Sequence, residues 1–557
     1  MDMESRSTPA QRDFNEQPVF SYSSLSNPRD IRLIKVDPGA WTGPIRYQVS
    51  HFYLDHQPQY VALSYTWGDA TKCRSVYTQS GYINITESLH SALQHLRRSF
   101  GRKEPVVWAD AVCINQEDNK EKAMQVQLMG DIYTAATATI VFLGEKKDDS
   151  DIASEVLFEE LEKTSNMDSA EPALWLNDLG TALRSVSDPS RMPFLTPFHT
   201  GFAARLREKD MSQEEYEKKI ASLKAFFRRP WYNRAWIQQE VLLQANVHTL
   251  CGEWDGPLDR ICRATAAILR EGSIWAHVNA SPGVHLGVIA LLDLGIGRML
   301  RMIGLESGSL HDLLYLSTQT RKASRARDHI FTLTSLAKDG KDKAYLPDYE
   351  APIEVIVKRV VNHIFLKTKD PLLFVARAGL GPDPNRFPSW MPNLLEGKDN
   401  RGAPHFNRHW KFCAAADTQT VVKLDAERSE LAVSSAYWDT VTDVGEVYLN
   451  ARLSCIRDAE QFFGQVVTYP TGEDMGAVKL KTMIGNYICD GETLEDIRTM
   501  YETWLLLEMN PVTNVNDPDT FPKKAIEAGW MFSSRCILHG TRLAVTQHGY
   551  VGVVPER

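Results

Sequence analysis

The stretch YVALSYTWGD, Tyr60–Asp69, is a short apolar run that stops in Ser64, Trp67 and Asp69. VVWADAVCINQ, Val106–Gln116, repeats the pattern, with Asp110, Asn115 and Gln116 behind a second apolar run. Between them ITESLHSALQHLRRS sets Leu89, Leu93 and Leu96 on one helical face, with Thr86 as N-cap. Asn119–Tyr133 then spaces Ala123, Val126, Gly130 and Tyr133 in the same way, and ATIVFLGE adds a third β-branched run. Strands alternating with helices need crossover connections, so the sequence predicts an α/β domain with a parallel sheet flanked by helices. Both polar sets fall at strand ends, where open α/β sheets bind ligands.

Working outward, residues 1–28 are polar and predict a mobile tail. IRLIKV and IRYQVSHFYL, within Ile31–Leu54, alternate as strands of an edge hairpin, with Pro38-Gly39 in the turn. The charged, weakly periodic segment 146–222 reads as a helical insertion. RPWYNRAWIQQEVLLQ follows as a helix with Pro230 in its first turn and Ile237 and Val241 on one side, and NVHTLCG as a strand. This places a first domain at 29–256, an α-rich region at 257–370 and a mixed α/β region at 371–557, with no solenoid or propeller repeat.

The 557 residues have ordinary globular composition, 43% hydrophobic and 24% charged, with a formal net charge of -9. That balance disfavours a nucleic-acid-gripping role. Eight cysteines stand singly, with no CxxC pair, which suits reduced thiols in the cytoplasm. The N-terminal residues lack an apolar signal core, and the greasiest stretch, Val284–Gly297, is interrupted by Asp293, so no membrane role is expected. Walker, GxGxxG and GxSxG signatures are missing, and His405, His409 and Cys413 lack the ligand pattern of a metal site.

The third polar stretch, RPWYNRAWIQQE (Arg229–Glu240), completes a set. SYTWGD at 64–69, WADAVCINQ at 108–116 and RAWIQQE at 234–240, in this order, resemble the hallmarks of the heterokaryon incompatibility (HET) domain of filamentous fungi. The resemblance covers roughly residues 31–255. The order of elements, with Ser64-Tyr65 after the first strand and a late Glu helix, also resembles Toll/interleukin receptor (TIR) domains, a flavodoxin-like fold. Several TIR-like proteins cleave the nicotinamide ribosyl bond of NAD with a glutamate on that helix, and the resemblance puts Glu240 in that role. The segment between Gly144 and Leu223 is longer than a compact TIR domain would hold there.

On this basis Glu240 is the candidate catalytic residue, and Ser64, Tyr65, Trp67, Gly68, Asp110, Asn115, Gln116, Arg229, Arg234 and Trp236 are candidates for substrate binding. A carboxylate near the sugar stabilises the oxocarbenium character that develops as neutral nicotinamide leaves. Trp236, four residues before Glu240, would share its helix face and stack on a flat ring. Each candidate also has a plainer role. Asp110 suits either a ribose hydroxyl or the cap of the next turn, and Arg229 and Arg234 suit a pyrophosphate or local ion pairs. Asn115 and Gln116 suit loop polarity, Trp67 and Trp108 core packing, Gly68 a tight turn, and Cys113 a buried hydrophobe rather than a nucleophile.

The resemblance implies an effector of vegetative incompatibility, programmed cell death and innate immunity in fungi, with NAD as substrate and no bound cofactor. The alternative is a non-enzymatic TIR-like module that signals or self-associates. Homo-oligomers and an incompatibility partner protein are the expected associates.

Overall fold

The computed structural model describes residues 18–101, 103–157, 212–270, 284–302, 308–317 and 321–368, with shorter stretches between 387 and 555. His405, His409, Cys413 and the middle of the segment 146–222 lie outside the described residues.

The strands of the first part are β1 (Asp30–Val36), β2 (Tyr47–Tyr53), β3 (Val61–Tyr65), β4 (Cys73–Tyr77), β5 (Tyr82–Thr86), β6 (Val106–Trp108), β7 (Ala138–Phe142), β8 (Val247–Cys251) and β9 (Trp254–Pro257). Seven of them form one sheet in the order β2-β1-β6-β3-β7-β8-β9. The four central strands, β6, β3, β7 and β8, run parallel, and antiparallel partners close both edges. VALSY and ATIVF are buried along their whole length, as strands covered on both faces must be. In chain order the parallel strands read 2-1-3-4, so the direction of winding reverses beside β3.

Helices α1 (Glu87–Phe100), the single turn α2 (Asp110–Cys113) and α3 (Asn119–Ala135) make the first two crossovers. Thr86 caps α1 by accepting from the Leu89 amide at 3.4 Å, and Asp118 caps α3 by accepting from Lys120 and Glu121. Helices α4 (Ser150–Glu155) and α5 (Gln213–Phe227) stand on either side of the undescribed insertion. A Ser212–Glu215 capping box starts α5.

Four features depart from the expectations. First, residues 18–28 are not all tail: Phe20 and Tyr82 join through backbone bonds, and Tyr22 donates to the Val112 carbonyl at 3.0 Å. The aromatic residues there supply the burial that the polar composition concealed. Second, β4 and β5 form a separate hairpin between β3 and α1, in which only Val76 and Ile85 are buried, so it gives little periodic signal. Third, the helix expected from Pro230 is broken. A 3-10 turn covers Pro230–Asn233, Arg234 is extended, and α6 runs only Ile237–Leu242.

Fourth, the helices between 258 and 368 do not pack by themselves, whereas Phe462, Phe463, Ile497 and Trp504 beyond them share a core of their own. Leu310, Leu314, Ile330, Phe331, Leu333 and Tyr349 share one core with Leu63, Leu89, Trp108 and Val126. Leu258, Ile261, Val284, Val288 and Leu291 share another with Val141, Trp231, Ile237 and Val247. Helices α7 (Leu258–Arg270), α8 (Val284–Met302), α9 (Leu310–Ser317) and α10 (Asp328–Thr334) carry all of these but Tyr349, and α11 (Ile353–Thr368) adds Ile356 and Val360 to the first core. The close approach is visible at Gly130 in α3, where a Cβ would lie 2.5 Å from the Ser335 Cβ. The segment Lys322 also pairs with the third motif, its carbonyl accepting from the Ala235 amide at 2.8 Å. Among the described residues no helix is long and apolar enough to cross a membrane.

Among its described residues the mixed C-terminal region contributes two small antiparallel sheets, Val422–Asp425 with Glu430–Val433, and Val441–Val444 with Thr541–Thr546 and Val551–Pro555.

Candidate functional site

The carboxyl ends of β3, β6 and β7 and the start of α6 bring the three motifs together. Ser64, fully buried in β3, donates its hydroxyl proton to Glu240 of α6 and accepts from the Trp231 indole Nε1 at 2.8 Å. Arg234 meets the same carboxylate with two nitrogens, at 3.1 and 3.2 Å. The extended backbone at Arg234 is what turns its side chain back onto the acid six residues later. Thr139 in β7 ties down the helix by donating to the Glu240 carbonyl at 3.0 Å.

Glu240 is only 2% exposed. Burial pushes its carboxyl above the ordinary glutamate range, and the Arg234 charge and the Ser64 hydroxyl pull it back. Burial also opposes the charge on Arg234, yet Glu240 and Asp110 hold its pKa above the usual value. The pair is thus an ion pair set in a low-dielectric interior, with one further donor on the acid.

Asp110 opens α2 beside this pair. Its carboxylate accepts from the Tyr65 hydroxyl at 3.0 Å, the Trp67 indole at 2.9 Å and the Ala111 amide at 2.8 Å. It therefore satisfies one amide at the start of the turn, whose N-cap is Ala109, and also gathers the first motif. Tyr65 is buried, with its hydroxyl held far above the usual tyrosine range first by burial and then by Asp110. Trp67 is 41% exposed and forms the outer lip, while Gly68 has φ 75, a turn that favours glycine.

The remaining candidates have local partners. Gln116 spans from the Asp110 carbonyl, 2.9 Å from its Nε2, to Lys122 Nζ, 2.8 Å from its Oε1. Asn115 accepts from the Glu117 amide at 3.2 Å. Arg229 donates to the carbonyls of Leu143, Glu145 and Lys147, organising the loop after β7 and standing apart from Glu240. Trp236 does not flank the acid: its indole donates to Asp328 at 3.3 Å, because the break at Arg234 makes Trp236 the N-cap of α6. Trp108 is core, and burial pushes the Cys113 thiol up to about 12.

Several residues of the site escaped the sequence reading. Trp231 was passed over inside an aromatic-rich segment. Arg32 and Glu121, both buried, form a bidentate pair at 2.5 and 2.9 Å, and Glu121 also accepts from the Asn115 amide at 2.7 Å. They support the second motif from below. Asp328, bonded by Trp236 and by Tyr349 at 2.8 Å, lies in ARDHIFTLTSLA, a segment that resembles ones accompanying HET domains but to which the sequence assigns no chemistry. No periodic signal marks such residues, since each is polar on an otherwise apolar or loop background.

The architecture defines a doubly wound α/β domain with a polar cluster at the carboxyl ends of its parallel strands, completed by the helices that follow. Residues 60–240 match the family model described as heterokaryon incompatibility protein (HET). Over 253 residues the chain is 32% identical to heterokaryon incompatibility protein 6, OR allele, of Neurospora crassa, a match that covers 42% of this chain and 35% of that relative. The chain thus spans about a third of the length of that relative. No solved structure matches. Residues 60–240 of this protein are a HET domain.

Proposed function

We propose that this protein is an effector of heterokaryon incompatibility, and that the cluster from Ser64 to Glu240 is its working site. The observation that supports this is the convergence of all three motifs: Ser64 and Arg234 on Glu240, and Tyr65 and Trp67 on Asp110. Packing alone does not ask for a charged pair, a buried serine and a half-exposed indole at one sheet edge.

The chemistry suggested by the TIR resemblance is cleavage of the nicotinamide ribosyl bond of NAD. The C–N bond breaks, its electron pair leaves with neutral nicotinamide, and water adds to the ribosyl carbon with loss of a proton. Glu240 would stabilise the positive sugar. In the arrangement described here both carboxylate oxygens are taken by protein donors, so this reaction requires Arg234 to swing off Glu240 and admit the sugar. NAD is a substrate in this scheme and no resident cofactor is invoked.

The same burial favours a second reading, in which the cluster is a structural keystone and the domain acts without catalysis, by signalling or self-association. Homo-oligomers and a second incompatibility protein are the associates either reading expects, in the cytoplasm. Purified wild type and Glu240→Gln, incubated with NAD, separate the two. Nicotinamide release by wild type and none by the variant supports cleavage. No release by wild type, with cell death on expression persisting at unchanged NAD levels, removes the enzymatic scheme and leaves the signalling one.

A further inference from the structure

Arg229 is committed to backbone carbonyls and, in the arrangement described here, Arg234 to Glu240, so before Arg234 moves neither arginine that the sequence offered to a pyrophosphate is open to one. The cluster carries two carboxylates, Asp110 and Glu240, against the single guanidinium of Arg234. A nucleotide approaching it meets net negative charge, so its diphosphate is better met elsewhere. The adjoining surface holds three cations round one ring: Lys122 Nζ, Arg325 and Arg327 lie 5.4, 5.5 and 5.7 Å from the centre of Tyr349.

We propose that Lys122, Arg325 and Arg327, gathered about Tyr349, form an anion subsite that takes the diphosphate of a nucleotide whose sugar enters the Asp110–Glu240 cleft. This rests on the nucleotide-binding form of the function proposed above. Two links make the subsite continuous with the cleft. Gln116 joins the Asp110 carbonyl to the Lys122 ammonium, and Trp236, the N-cap of the Glu240 helix, donates to Asp328, the neighbour of Arg327.

The carboxylates nearest these cations keep their charge but direct their oxygens at other donors, which leaves the Arg325 N–H groups open to an anion. The carboxylate of Asp328 is buried and already accepts from Trp236 and Tyr349, while that of Asp348 accepts from the amides of Glu350 and Ala351. Arg325 is exposed and forms no ion pair with a described residue. Burial and then the Arg325 charge hold the Lys122 pKa below its ordinary value, a like-charge conflict that a bound anion relieves. A guanidinium fork on an open surface suits phosphate oxygens, and Arg327, anchored to the Asp348 carbonyl at 2.8 Å, presents its charge in a fixed place.

Calorimetric titration of the full chain with ADP-ribose and, separately, inorganic pyrophosphate at low salt tests this. ADP-ribose should bind about tenfold more tightly than pyrophosphate, and Arg325→Glu should weaken ADP-ribose at least about tenfold while Arg325→Lys stays within about threefold. Retention of the thermal transition shows that the variants fold. Equal binding of ADP-ribose by wild type and Arg325→Glu, or no binding of either probe by wild type, overturns the subsite. Equal affinity for the two probes overturns its assignment to a nucleotide. Charge-dependent ADP-ribose binding without nicotinamide release from NAD supports the subsite and removes only the cleavage chemistry.

Discussion

Ser64 and Glu240, 176 positions apart in the chain, meet in the interior, the hydroxyl donating to the carboxylate while its oxygen accepts from Trp231. A single oxygen atom thus satisfies both an acid and an indole where water does not reach. The motifs at the two ends of the domain are joined through it.

Ser64→Ala should therefore cost roughly 2–4 kcal/mol, because it leaves one buried acceptor short of a donor and one buried N–H without a partner. Urea denaturation measures this directly. A loss below about 1 kcal/mol, the size of an ordinary single hydrogen bond, would mean that the three groups do not depend on one another.

Removing the cation should do more. Arg234→Met strands the Glu240 carboxylate and should destabilise by roughly 3–5 kcal/mol at neutral pH, whereas Arg234→Met with Glu240→Leu should recover most of the loss. The sign with pH follows from burial, which raises the Glu240 pKa in the folded state. Without Arg234 to oppose it, the folded single variant holds its proton more tightly than the unfolded chain. Its relative stability is then present at low pH and lost as pH rises through the folded pKa. Denaturation midpoints at pH 5 and pH 8 should show the single variant gaining on wild type at pH 5; an unchanged gap argues that Glu240 is not buried as described.

Glu121 supports the second motif through Arg32 and the Asn115 amide. Glu121→Ala should cost roughly 3–5 kcal/mol, since it leaves Arg32 as an unpaired charge in the core. It should also speed proteolytic nicking near Asn115. A melting temperature equal to wild type would remove this residue from the support of the site.

Cys113 has no exposed surface and a thiol pushed up to about 12, whereas Cys73 is exposed. Iodoacetamide at pH 8 should label Cys73 in the native protein and spare Cys113 until denaturant is added. Because burial holds the folded pKa above the ordinary thiol range, the thiol's contribution is intact below that range and is lost as pH rises toward about 12. Rapid native labelling of Cys113, read by peptide mass, would restore it as a nucleophile.

Much of the fold was legible because its strands and helices carry strong periods. VALSY and ATIVF are continuous apolar runs, and Leu89, Leu93 and Leu96 repeat at helical spacing behind a Thr cap, so β3, β7 and α1 could be placed within a residue or two. The hairpin β4–β5 was not, because only Val76 and Ile85 in it are buried and few of its residues alternate. The helix break at Arg234 was hidden too. Nothing in WYNRAW forbids a helix, and the backbone there is held extended by pairing with Lys322, a contact between distant segments.

The chain by itself determined the alternation of the parallel strands with helices, the Thr86 cap and the three polar motifs, since each depends on neighbours within a few residues. Tertiary structure alone decided that Arg234 closes on Glu240, that Trp231 completes the site while Trp236 turns to Asp328, and that helices beyond residue 257 finish the core. Those outcomes follow from where low-dielectric space forms and which donors can reach into it. Such proximity arises only after segments far apart in sequence have packed together.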